Sequence, residues 1–207
     1  RGDIRLVACP GCGLVFNAAF DPARMRYDAD YENALHFSPR FRAFQADTVR
    51  RLVEQGLRDR RILEIGCGDG SFLGALAIAG GNRGVGVDPS FDPARARIPG
   101  GANVRVETAP FTAMPGAADA VVCRHVLEHL DDAAPLLIAM RDALAGGDPG
   151  LVYLEVPSWR ATLERDAFWD VLYEHVAYHD ADTLADLVRR HGFEVLEAGE
   201  AYGGQFA

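Results

Sequence analysis

The run Glu64-Ile65-Gly66-Cys67-Gly68-Asp69-Gly70-Ser71 decides the fold. Arg61–Ile65, which leads into it, reads as a short apolar strand, and residues 71–79 read as a helix closed by Gly80 and Gly81. Three glycines between strand and helix allow a tight turn and let a ligand approach the backbone closely. A glycine triplet alone also serves as an ordinary strand-to-helix turn, so its neighbours carry the argument. The next strand, residues 84–87, ends on Asp88, a carboxylate where a ribose diol can be gripped.

Outward from this unit the pattern stays regular. Residues 104–106, 119–123 and 151–156 read as strands, and 193–196 as a last one. Helices are expected over 39–57, near 134–144 with a stop at Gly146 and Gly147, and over 183–191 before Gly192. Strands alternating with helices imply an α/β fold with a parallel sheet covered on both faces. Residues 1–37 differ, with a CxxC turn at Cys9 and Cys12, two short apolar runs and the tyrosines Tyr27 and Tyr31. The expected division is an N-terminal segment over 1–37 and an α/β domain over 38–207.

Composition narrows the function. The 207 residues are 49% hydrophobic and 25% charged, with a net charge of −9. All basic residues are arginine, which excludes Schiff-base chemistry, a Walker-type phosphate loop and any catalytic lysine. An acidic chain without an arginine-dense run also argues against nucleic-acid binding. Lysine-free, Ala/Gly/Arg-rich usage suggests a GC-rich bacterial genome. No stretch approaches the ~20 apolar residues that span a bilayer. The chain opens without methionine or a signal-like segment, so a fragment of a soluble cytoplasmic protein is expected. Four cysteines are too few and too scattered for a disulfide scaffold.

The glycine turn suits either NAD or S-adenosylmethionine. The NAD fingerprint wants its third small residue at position 71, whereas here the glycine falls at 70. Glu64 and Asp69 flank the turn, and two carboxylates repel a pyrophosphate but suit a ligand carrying an ammonium and a sulfonium. The turn therefore favours S-adenosylmethionine.

Residues 61–200 resemble a class I S-adenosylmethionine-dependent methyltransferase with a Rossmann-like sheet. Glu64, Gly66, Cys67, Gly68 and Gly70 match its first motif, and Asp88 with Pro89 the ribose-binding strand end. The run from Asp119 through Arg124, His125, Glu128 and His129 to Leu130 matches the fourth strand, and residues 151–158 the fifth. The resemblance places adenine near Glu107, Thr108 and Ala109, with Phe91 as an apolar wall. A sheet of this family carries a seventh, antiparallel strand, for which the sequence leaves no room before Ala207; residues 193–206 are then expected to pair differently, or the strand to come from beyond.

Two further segments are similar to the zinc-module-containing sugar C-methyltransferases and their relatives: Cys9-Pro10-Gly11-Cys12-Gly13, and residues 168–178 with Tyr173, Glu174 and His175. The resemblance implies a small-molecule acceptor, a nucleotide-linked keto-deoxysugar, and a structural zinc held in part by Cys9 and Cys12. Tetrahedral zinc takes four ligands. Cys67 and Cys123 lie in the core, which leaves a lost upstream pair, a bare turn, or His36 with a carboxylate. The first cysteine pair and the C-terminal domain of that family are absent here. O- or N-methylation of another metabolite, a nicotinamide-dependent oxidoreductase and a non-catalytic scaffold remain as alternatives.

For carbon methylation the resemblance points to His175 as general base, Tyr173 as donor to the forming oxyanion and Glu174 as partner of the imidazole. Tyr173 and His175 share a pocket only where residues 170–178 are not a regular helix. Arg124 and His125, at the carboxyl end of the fourth strand, are placed to touch cofactor or acceptor. His129 is expected to begin a helix, and His191 to favour a helix C-terminus.

Overall fold

A computed structural model describes residues 2–25, 38–112, 114, 116–144 and 150–207. Its elements are β1 (Leu6–Ala8), β2 (Val15–Asn17), α1 (Pro39–Glu54), β3 (Arg61–Ile65), α2 (Ser71–Gly80), β4 (Arg83–Val87), β5 (Val104–Glu107), β6 (Ala120–Arg124), α3 (Ala134–Ala143), β7 (Leu151–Glu155), α4 (Trp159–Arg165), β8 (Ala177–Tyr178) and α5 (Ala181–Arg190). Two compact units result, one of residues 27–124 and 139–154, the other of 1–26, 125–138 and 155–207.

The first unit holds the five-stranded sheet, in the order β5-β4-β3-β6-β7. β3 pairs in parallel with β4 and β6, and β4 with β5. Ile62, Ala120 and Val122 point to one face, where they pack with Val49, Leu52 and Val53 of α1 and Phe72, Leu73 and Leu76 of α2. Strand alternation turns Leu63, Ile65, Val121 and Cys123 the other way, and they are equally buried. Both faces are therefore covered, as a parallel sheet requires. α2 starts at Gly70 and ends at Gly81, both left-handed, so the glycines open and close it as expected.

In the second unit β1 and β2 form an antiparallel hairpin, and β2 pairs in turn with β8. The boundary expected after residue 37 falls at the edge of residues outside the described set, as do His36 and the stop at Gly146 and Gly147.

Two expectations need correction. Residues 193–196 form no strand: Leu196 is exposed and no neighbouring strand pairs with this stretch among the described residues. Residues 205–207 pair instead, with Val156 and Ala207 exchanging backbone hydrogen bonds of 3.0 and 2.9 Å and Ser158 N donating to Gln205 O. His129 does not begin a helix but closes the 3-10 turn Leu127–His129, with α3 starting only at Ala134.

Candidate active site

In the first unit the candidate cofactor residues cluster at the carboxyl ends of β3, β4, β5 and β6, where ligands sit in open α/β folds. Gly66, Gly68 and Gly70 all take positive φ, a backbone that other side chains resist. Gly66 N donates to Val87 O and Gly70 N to Cys67 O, which tightens the turn. Asp88 closes it: Oδ2 accepts from Gly68 N at 2.8 Å, while Oδ1 accepts from the backbone and hydroxyl of Ser90. The carboxylate is thus oriented before any ligand arrives. Cys67 packs under β4, where a Cβ at Gly86 would sit 2.6 Å from its Sγ, and burial pushes its thiol pKa up. Its role is filling space.

Glu64 is 2% exposed on β3, and its Oε2 has no hydrogen-bond partner. Burial pushes its pKa up to about 8, with Asp69 and Asp88 adding to the shift and Arg124 opposing it. A buried acid facing two carboxylates and short of a donor is fitted to an arriving ammonium group. The Asp69 side chain also accepts from Ser71 N at 3.0 Å and lies 3.7 Å from Arg97. Arg124 stacks over the Phe72 ring, 4.1 Å from its centroid. At the end of β5, Asp88 N donates to Glu107 O and Thr108 Oγ1 to Phe91 O, so the expected adenine residues lie beside the ribose acid. The Glu107 side chain itself pairs outward with Arg105. Pro89 makes no hydrogen bond that would mark it as a contact residue beyond its place after Asp88.

In the second unit residues 171–176 are irregular, as the functional reading required, yet they separate Tyr173 from His175. The Tyr173 hydroxyl accepts from Asp21 N at 3.0 Å and its ring packs on Phe20. His175 turns inward, 6% exposed, with Nδ1–H donating to Asp170 O at 2.7 Å. Its ring meets His129 edge-on at 5.1 Å. Glu174 does not orient His175; its backbone carbonyl accepts from His129 Nδ1 at 3.0 Å. Both rings are therefore held by carbonyls at Nδ1, which leaves Nε2 as the acceptor nitrogen of each neutral ring.

Glu128, 2% exposed, joins this pair. One carboxylate oxygen of Glu128 and one ring nitrogen from each of His129 and His175 lie within 4.8 Å of one another. Burial would raise the Glu128 pKa, but His125 and the two other histidines together hold it below the usual range. His125, at φ 54° directly after β6, sits between two buried acids, 3.6 Å from Glu128 and 3.0 Å from Glu155. Burial disfavours its charge, yet the two carboxylates win and lift its pKa to about 9. At neutral pH His125 is a cation with both ring nitrogens committed, so it serves as a clamp on Glu128 and not as a base. Glu128 and His129 were missed by the sequence reading. The spacing His125-Val126-Leu127-Glu128-His129 was the available signal, but only the tertiary approach of His175 makes it a cluster.

Cys9 and Cys12 sit on the β1–β2 turn, and the N–H groups of Gly11 and Cys12 lower the Cys9 thiol pKa. Thiolate character suits zinc, but among the described residues no third ligand joins them. Among the described residues the turn thus offers two thiol sulfurs and no further ligand.

Comparison with known proteins agrees with this geometry. The methyltransferase-domain family matches residues 36–198. A C-methyltransferase of Streptomyces niveus, NovU, is 31% identical over 175 residues, which are 75% of this chain and 40% of that protein. Among solved structures, phosphoethanolamine N-methyltransferase 2 of Haemonchus contortus, in complex with S-adenosyl-L-methionine, superposes with a TM-score of 0.61 at 20% identity, over 75% of this chain and 38% of that one. An S-adenosylmethionine-dependent methyltransferase of Mesorhizobium loti gives 0.60 at 19%, over 74% and 83%. The chain thus spans well under half of two of these relatives. With the glycine turn, Asp88 and the β5-β4-β3-β6-β7 order in place, the chain belongs to the class I S-adenosylmethionine-dependent methyltransferase family.

Proposed function

We propose that this chain transfers the methyl group of S-adenosylmethionine to a small-molecule acceptor, and that the acceptor atom is a carbon beside a ketone in a nucleotide-linked deoxysugar. The observation that carries the cofactor half is Glu64, a buried carboxylate whose Oε2 has no hydrogen-bond partner, beside a preset Asp88. Glu64 takes the ammonium of the methionine part, and Asp88 takes the ribose hydroxyls. The carbon-acceptor half is supported by the likeness to a C-methyltransferase and by His175.

Methyl transfer from a sulfonium is an in-line displacement, so the protein positions the acceptor and removes its proton. His175 is suited to that removal. Its Nδ1–H is fixed on Asp170 O, so the neutral ring carries its lone pair on Nε2. Nε2 would take the proton from the carbon beside the ketone, and S-adenosylmethionine, when bound, would supply the methyl group to that carbon and leave as the neutral sulfide. Glu128, ionised beside the pair, steadies the imidazolium that forms. Tyr173 is engaged with Asp21 and Phe20, so its part is to anchor the loop that carries His175.

The test is direct. S-adenosylhomocysteine should raise the melting temperature and NADH should not; stabilisation by NADH alone would end this reading. Mass spectrometry of products from keto-deoxysugar nucleotides should then show one added methyl on carbon, whereas methyl on oxygen or nitrogen would move the acceptor. Zinc at Cys9 and Cys12 is proposed as a half-site completed by ligands outside the described residues. Metal analysis should find about one zinc per chain, falling in Cys9→Ser.

A further inference from the structure

Glu128, His129 and His175 form a cluster that proton chemistry alone does not account for. A single general base needs one imidazole, yet two are brought together here with a carboxylate. Each histidine donates Nδ1–H to a backbone carbonyl, His129 to Glu174 and His175 to Asp170. Metal-binding histidines characteristically donate their remote N–H in this way, which fixes the tautomer and aims the other nitrogen. Glu128 is buried, and its Oε2 has no hydrogen-bond partner while the carboxylate's other oxygen lies toward His125. A buried carboxylate oxygen without a donor is costly unless something positive occupies the space before it.

We infer that Glu128, His129 and His175 bind a divalent transition-metal ion, with two imidazole nitrogens and one carboxylate oxygen as ligands. Atoms no more than 4.8 Å apart lie at most about 2.8 Å from a common centre, against about 2.1 Å for a zinc–nitrogen bond. Each ligand atom has to move inward by only about 0.7 Å, within reach of small side-chain torsions. Two nitrogens and one oxygen suit zinc, cobalt(II), nickel(II) or iron(II) better than magnesium or calcium, which prefer all-oxygen shells. Three protein ligands leave coordination positions open for water. The site is distinct from Cys9 and Cys12, and its existence does not depend on the methyl acceptor proposed above; a bound ion takes the His175 lone pair that proton removal would use, so metal occupancy and methyl transfer exclude one another.

Cobalt(II) titration of the Cys9→Ser/Cys12→Ser chain tests this without any methyl transfer. A saturable visible absorption band at one equivalent is expected, displaced by zinc. Glu128→Gln and His129→Asn should each weaken binding at least about tenfold, while His191→Asn, on the far end of α5, should leave it unchanged. Should a substituted chain lose its fold, histidine ring-nitrogen NMR spectra of the cysteine-substituted chain decide, with zinc shifting the Nε2 signals of two rings. No cobalt band, or a band insensitive to Glu128→Gln in a folded chain, overturns the site, as does zinc that shifts no histidine nitrogen.

Discussion

Glu64 makes cofactor binding a proton-linked event. In the free chain its pKa stands at about 8, so at pH 7 roughly nine-tenths of the molecules carry it neutral. An ammonium group docked against Oε2 favours the ionised form and should return the pKa toward its ordinary 4.5. Binding then expels close to one proton at pH 7, and affinity should rise about twentyfold between pH 6 and pH 7.5, or about 2 kcal/mol. The sign for stability runs oppositely. A carboxyl raised in the folded state contributes fully below its unfolded value of 4.5 and loses that contribution as pH climbs through about 8. The free chain should therefore soften across this window while S-adenosylhomocysteine protects it progressively more. Calorimetry in buffers of different ionisation enthalpy counts the proton directly. In Glu64→Gln the proton release should vanish and the affinity become weak and flat with pH. Equal affinity at pH 6 and pH 7.5, with no buffer-dependent heat, would refute the assignment of Glu64 to the ammonium.

Asp88→Ala should weaken S-adenosylhomocysteine at least tenfold, since charge-assisted hydrogen bonds of this kind are worth ~1.5–3 kcal/mol; unchanged affinity by calorimetry would move the ribose elsewhere. His175→Gln should bind S-adenosylhomocysteine normally and lose ~10²–10⁴-fold in kcat, a split that steady-state kinetics reads directly. Retained turnover would free His175 from the role of base. His179 is held neutral by burial with its pKa lowered to about 4, so its contribution to stability is present above 6.5 and is lost as pH falls through about 4. His179→Phe should flatten the fall in melting temperature between pH 6.5 and 4.5, and an equally steep fall would assign it to other groups.

The cofactor half was legible because its signals are local. Glycines at positive φ between Ile65 and Ser71, an apolar strand before them and an acid closing the next strand are readable within thirty-odd positions of one another, roughly one βαβ unit. Asp69 has a local use as well: two residues before Ser71, its carboxylate accepts that residue's N–H, and this use competes with a ligand. What escaped was long-range. The packing of Tyr173 on Phe20, the meeting of His129 with His175, and the pairing of residues 205–207 beyond β7 each join distant segments. Nothing in the periodicity of either partner announces them. Residues 193–196 mislead in the other direction, because a short apolar run after a glycine looks like a strand whether or not a neighbour waits for it.

The pairing of β2 with β8 has a consequence for how the chain is made. Val15 meets Tyr178, so that register forms only after the ribosome has delivered residue 178. Residues 205–207, which hydrogen-bond to 156–158, arrive later still. The unit built on residues 27–124 and 139–154 has its strands in hand much earlier, and its parallel pairings close far shorter loops. The histidine cluster should thus acquire its geometry later than the parallel sheet during synthesis, and its amides should exchange sooner than the sheet's when the protein is warmed.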